Sequence, residues 1–153
     1  MTPRLNPFAL ASNPMKLLID FGTKVGQAGL EPSLFELVKI RASQINGCAI
    51  CLDMHTRDAR QHGESEQRIY MLDAWRESPL YSDRERAALA WTDALTKLTE
   101  GHAPDEVYRM VEAEFTPEEQ VILTLMIVVI NGFNRFGVGF RLAPLTDAQR
   151  VAA

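Results

Sequence analysis

The sequence predicts an all-α protein built as one domain, and three observations carry that prediction. Apolar residues recur at three- and four-residue spacing, the period of a helix buried on one face. Proline and glycine cut the chain into helix-length pieces. No segment alternates apolar and polar residues between turn dipeptides at strand spacing. The chain has 153 residues, 46% of them apolar, enough for one core. That content excludes a disordered chain, and two cysteines cannot staple a fold of this size. Lys and Arg number 16 against 20 Asp and Glu, with no basic run. Nothing there invites a phosphate backbone, so nucleic acid is not an expected partner.

Asn13-Pro14 opens the first helix, which carries Leu17, Leu18, Phe21 and Val25 at helical spacing and closes at Gly26 and Gly29. Glu31-Pro32-Ser33 opens the second, with Leu34, Leu37, Val38, Ile40 and Ile45 apolar; Asn46-Gly47 ends or bends it. The third runs from Cys48 to about His62, with Gly63 as its C-cap. The fourth spans Ser65 to about Trp75, with Ile69, Leu72 and Trp75 on one face, and Ser78-Pro79 ends it. Ser82 and Glu85 have capping-box spacing and start the fifth, in which Ala88, Leu89, Trp91, Leu95 and Leu98 are apolar up to Gly101. Pro104 to Phe115 makes a sixth, with Val107, Met110 and Val111 facing inward.

Thr116-Pro117-Glu118-Glu119 starts the seventh: an N-cap threonine, proline at the first helical position, acid in the first turn. It continues through Val121–Ile130 toward Gly132 or beyond. That apolar run is about half of the ~20 residues a bilayer crossing needs, so it reads as a core helix. Apolar nearly all round, it belongs at the centre or in an oligomer contact. Arg141 to Ala153 has no strong pattern and reads as an arm. The expected architecture is therefore about six or seven helices in one domain over residues 1–153. The first residues have no apolar stretch of export-signal type, so the expected compartment is the cytoplasm, with no membrane partner. In that reducing setting a cysteine pair is more often catalytic or metal-binding than structural.

The two cysteines are Cys48 and Cys51. Two randomly placed cysteines would fall three apart only about once in 75 such chains, so the spacing carries information. On a helix both sulfurs share a face, and unpaired amides at a helix N-terminus favour a thiolate. His55 lies four residues beyond Cys51, so positions 48, 51 and 55 form one stripe. An imidazole beside a thiol can take its proton. Two other readings stand beside this one. The three residues could be core side chains, or they could hold zinc with His62; zinc would lack the second cysteine pair that a structural site usually has. Glu36, twelve residues before Cys48, is either the partner that orients His55 or the acid of a capping box with Ser33.

Glu36, eleven residues, Cys48-x-x-Cys51, three residues and His55 resemble the active-site signature of alkylhydroperoxidase D-like proteins, within the carboxymuconolactone decarboxylase superfamily. Residues 37–48 are similar to that family's core helix, and Val129–Arg135 to a C-terminal segment of its members. The likeness extends over about residues 30–142. The resemblance implies an all-α fold, a homo-trimer or hexamer, and thiol-dependent reduction of hydroperoxides without a cofactor or metal. It implies that Glu36 and His55, through water, activate Cys51, that Cys51 attacks the peroxide, and that Cys48 closes a disulfide. A dithiol reductant, lipoyl-type in the best-known member, would reopen it. It also favours the relay over the capping box at Glu36. A departure is Ile50, where that best-known peroxidase has a second histidine, which predicts lower activity or a changed substrate. The decarboxylases proper do not use the cysteine pair.

Other polar and aromatic residues read as structural. His62 and His102 sit beside glycines at helix ends, and Trp75 and Trp91 fit apolar stripes. Glu112, Glu114, Glu118 and Glu119 read as a solvated face, and Asn131, Asn134 and Arg135 as capping or subunit-contact residues.

Overall fold

A computed structural model describes residues 2–144. Its helices are α1 (Pro7–Leu10), α2 (Ser12–Gly26), α3 (Pro32–Asn46), α4 (Ala49–Gln61), α5 (Glu66–Met71), α6 (Asp83–Thr96), α7 (Leu98–Gly101), α8 (Asp105–Glu114) and α9 (Pro117–Gly139), with a 3₁₀ turn at Leu72–Ala74. The described residues contain no strand. The all-α expectation holds. The arm expected from Arg141 onward lies, from residue 145, outside the described residues.

The start signals act as the sequence predicts. Ser82 and Glu85 close a capping box on α6, and Thr116 and Glu119 close one on α9 behind Pro117. Each satisfies amides that no helical carbonyl reaches. Glu119 also accepts from Arg84 at 2.6 Å, so it ties α9 to α6 rather than belonging to a merely solvated face. The expected fifth helix breaks at Lys97, whose backbone (φ −107°, ψ 39°) leaves the helical region and separates α6 from α7. Met110 is 40% exposed, not inward; only Val111 of α8 is fully buried. Leu17 and Phe21 are exposed as well, because α2 packs on α9 along the side that carries Gly22 and Val25.

α3 and α9 form the centre. Leu34, Phe35 and Val38 of α3 meet Trp91 of α6, Val111 of α8, and Leu123, Met126 and Ile127 of α9 in one cluster. On the other side of α3, Leu37 and Ile40 meet Ala59, Leu72, Trp75 and Leu89. α9 runs to Gly139 and is long and apolar enough to cross a membrane, with mean hydropathy 1.8 over its best window; half of that window is buried inside the fold. That burial agrees with the core-helix reading of Val121–Ile130.

Arg41 fastens α3 to its surroundings. Its Nε donates to Asp93 Oδ1 at 2.7 Å and its Nη1 to Asp73 Oδ1 at 2.5 Å. Removing one partner of a buried pair strands the other charge away from water. Asp73 is largely exposed and Arg76 still holds Asp93 at 3.1 Å, so neither carboxylate is left bare and Arg41→Met should cost about 1–2 kcal/mol. Urea unfolding of the purified variant measures it.

Candidate redox site

The end of α3 delivers the first cysteine. Gly47 adopts the left-handed conformation (φ +65°), which only glycine takes at little cost. Its amide donates to Gln44 O at 3.2 Å, and the Cys48 amide donates to Ser43 O at 3.0 Å. This is a Schellman closure. It leaves Cys48 in extended backbone as the N-cap of α4 (φ −87°, ψ 94°). The single helical stripe expected for 48, 51 and 55 is therefore corrected: Cys48 precedes the helix, and Cys51 and His55 share its face one turn apart. Cys51 sits in the first turn, where free amides and the helix macrodipole favour a thiolate.

Cys48 and Cys51 are joined in a disulfide. His55 is buried, and its Nδ1 lies 3.1 Å from Glu36 Oε2. A carboxylate there holds the proton on Nδ1 and leaves Nε2 as the basic nitrogen. Glu36 is not a capping residue. Glu31 is the N-cap of α3 and Pro32 its first residue, so Glu36 falls in the second turn and points to His55. Its other oxygen, Oε1, accepts from Lys39 Nζ at 2.5 Å. Burial pushes the Glu36 carboxyl up, but the hydrogen bonds and charges of His55 and Lys39 outweigh it and hold the group below the usual carboxylate range.

Glu36, His55 and Asp58 bring ligand atoms within 4.8 Å of one another. Lys39 already occupies one Glu36 oxygen, so the cluster reads as a hydrogen-bonded ion-pair network. The zinc alternative had joined His62 to the cysteines. His62 is the exposed C-cap of α4, and the two sulfurs are spent on each other. His102 likewise caps α7, and Trp75 and Trp91 lie in the core.

The sulfurs are less reachable than the sequence reading asks. Cys48 is 1% exposed and Cys51 4%, in an apolar cluster with Ala42, Ile50 and Ile130. Beside them lies a cavity of about 510 Å³, lined by Glu36, Lys39 and His55 together with Phe35, Met54, Ile130 and Phe133. Its size is that of a small-molecule site. Ile130 belongs both to the cavity wall and to the sulfur cluster, so the two adjoin there.

Several contributors escape sequence reasoning. Lys39 has no role of its own in the sequence reading, only a place within the family-like helix 37–48. Asn131 and Asn134 neither cap α9, which runs on, nor lie free for a partner: both are buried. Asn46 Nδ2 donates to Asn131 Oδ1 and Asn134 Oδ1, each at 2.9 Å, and Asn134 Nδ2 donates to Ser43 Oγ at 3.0 Å. This network bolts α9 to the last turn of α3, next to Cys48. Arg135 is exposed and donates to Asn131 O at 2.7 Å. The run of asparagines beyond an apolar stretch was the available signal.

A model of the carboxymuconolactone decarboxylase family matches residues 14–94. The chain belongs to that family. Within reach of it, the chain is 42% identical over 138 residues to the uncharacterized protein YdfG of Bacillus subtilis, covering 90% of this chain and 94% of that one. It is also similar to the crystal structure of a protein of unknown function from Agrobacterium tumefaciens, described as a candidate antioxidant defence protein AhpD. There the TM-score is 0.93 at 42% identity, over 95% of this chain and all of the other. The alkyl hydroperoxide reductase AhpD of Hyphomonas neptunium is 42% identical over 45 residues, which is 29% of this chain and 25% of that enzyme. The family membership and AhpD likeness implied by the Glu36–Cys48–Cys51–His55 pattern thus hold.

Proposed function

We propose that this family member is a cytoplasmic thiol peroxidase of the AhpD type, an antioxidant oxidoreductase whose catalytic residues are Glu36, Cys48, Cys51 and His55. One observation carries the reading: a cysteine pair at the N-terminus of α4 stands one turn from a histidine whose Nδ1 is held by a buried carboxylate. His55 Nε2, through water, takes the Cys51 proton. The thiolate attacks the peroxide, the O–O bond breaks, and the proton passes to the leaving alkoxide. The products are an alcohol and Cys51 sulfenic acid. Cys48 then gives up its proton and attacks that sulfur; the S–S bond forms, the S–O bond breaks, and the hydroxide leaves with that proton as water. A lipoyl-type dithiol reduces the disulfide and is itself oxidised to a cyclic disulfide. The largely apolar cavity suits an organic hydroperoxide better than hydrogen peroxide. The exposed Leu5, Leu10 and Leu17 offer apolar surface for a homo-trimer or hexamer.

A second reading is a disulfide oxidoreductase or redox sensor on the same residues, favoured by the burial of both sulfurs and by Ile50 between them. Mixing the protein with cumene hydroperoxide and dihydrolipoamide separates the two. The peroxidase reading expects many turnovers per subunit, and faster ones than with hydrogen peroxide. Formation of one disulfide per subunit without turnover would select the sensor.

A further inference from the structure

Glycine inside a helix is unfavourable, because it orders more backbone than any other residue and contributes no side chain. Gly137 lies inside α9, is buried, and has no positive φ to explain it. What surrounds it does explain it. A methyl group built on Gly137 would lie 2.5 Å from Cys48 Sγ, 3.2 Å from Ile50 Cγ2 and 3.5 Å from Cys51 Sγ. Gly132 and Gly139, on the same helix, would meet nothing within 4 Å. The backbone of α9 therefore lies directly against the disulfide at Gly137, and of the three glycines of the helix this is the one that faces the sulfurs.

The approach is rigid. The Asn46–Asn131–Asn134 network fixes α9 against the end of α3, one to two turns before Gly137. Beyond it, Arg4 donates from its amide to Phe140 O and from Nη1 to Gly139 O, each at 3.0 Å, so the N-terminal segment clasps the end of the helix. Held on both sides, α9 has little freedom to retreat from a larger side chain. The backbone of Cys48, at the corner between two helices, has little freedom either. In the disulfide its Sγ fills the space that any other residue at 137 would occupy.

We infer that Gly137 is a positioning residue for the redox pair: its missing side chain is the space that Cys48 Sγ enters when the disulfide closes. A free Cys48 thiol can turn about χ1 away from α9, whereas the bridged sulfur cannot. A methyl group at 137 thus disfavours the bridged state more than the dithiol. The inference rests on reading Cys48 and Cys51 as a redox couple, and its test uses no peroxide, so it stands or fails apart from peroxidase activity.

The test is the exchange equilibrium of the full chain with glutathione. The protein dithiol and oxidised glutathione give the protein disulfide and two molecules of reduced glutathione. Gly137→Ala should lower that equilibrium constant at least about tenfold, near 30 mV for a two-electron couple. Gly132→Ala should leave it unchanged, and reduced Gly137→Ala should melt close to the reduced parent protein. An unchanged or raised constant in a folded Gly137→Ala protein overturns the inference. If Gly137→Ala does not fold, the double variant Gly137→Ala with Cys48→Ala decides. A folded double variant shows that the glycine serves the sulfur, and an unfolded one shows that it serves only helix packing.

Discussion

Cys51→Ser should lose peroxide turnover by at least about 10³-fold, because a serine hydroxyl at this site is not ionised and is a far weaker nucleophile than a thiolate. Cys48→Ser should behave differently. Its Cys51 keeps the first turn of α4, His55 and Glu36, so it should consume one equivalent of cumene hydroperoxide per subunit and then stop. Without a resolving thiol the sulfenic acid persists, visible as the mass of one added oxygen atom or by dimedone labelling. The contrast tests the division of roles, which follows from position: Cys51 shares the helix face with the histidine, and Cys48 sits at the cap. If Cys48→Ser abolishes the first oxidation while Cys51→Ser keeps it, the roles are exchanged.

Glu36→Gln should lower kcat/KM by about 10² or more, the usual worth of a positioned acid–base partner. The amide keeps the size of the carboxyl but cannot hold His55 in one tautomer with Nε2 basic. The pH dependence gives a second signature. Around Glu36 stand Lys39 on its own helix and His55 on α4, with Asp58 Oδ2 3.9 Å from the same His55 Nδ1. The folded protein holds the Glu36 carboxyl below its ordinary 4.5. Its ionisation therefore contributes stability that is present above about pH 4.5 and lost as pH falls through the folded-state value. The difference in urea midpoint between Glu36→Gln and the parent should shrink over that acidic window. Lys39→Met removes a cation that opposes the effect of burial, so the acid limb of its activity profile should move toward neutral pH. An acid limb that stays in place in Lys39→Met would deny Lys39 this role.

Much of this was legible in the sequence, for reasons that differ by element. The capping box at Ser82 and the N-cap threonine at Thr116 are local chemistry, readable within four residues, and they fixed where α6 and α9 begin. The Glu36–Cys48–Cys51–His55 pattern was readable through its resemblance to a family signature; spacing alone left Glu36 between the relay and a capping box. The pieces that were not legible are tertiary. Lys39 stands among buried residues of α3 because Glu36 draws it to the cavity, and no helical period announces that. Leu17 looked like core and is surface, since the spacing of apolar residues does not say which face finds a partner. Asn131, Asn134 and Gly137 gain their meaning only when α9 lies against the corner between α3 and α4. The burial of both sulfurs has the same origin: α9 and Ile130 cover a pair that the motif alone presents at an open helix end.

The central claim is that the Glu36–His55 pair makes Cys51 an activated thiolate. Alkylation of the reduced Cys48→Ser protein by iodoacetamide, followed against pH, measures it directly. The account predicts half-maximal reactivity well below the ~8.5 of an ordinary cysteine, and a return toward that value in a Cys48→Ser, His55→Gln protein. A Cys51 that titrates at or above ~8.5 and is indifferent to the loss of His55 would contradict it.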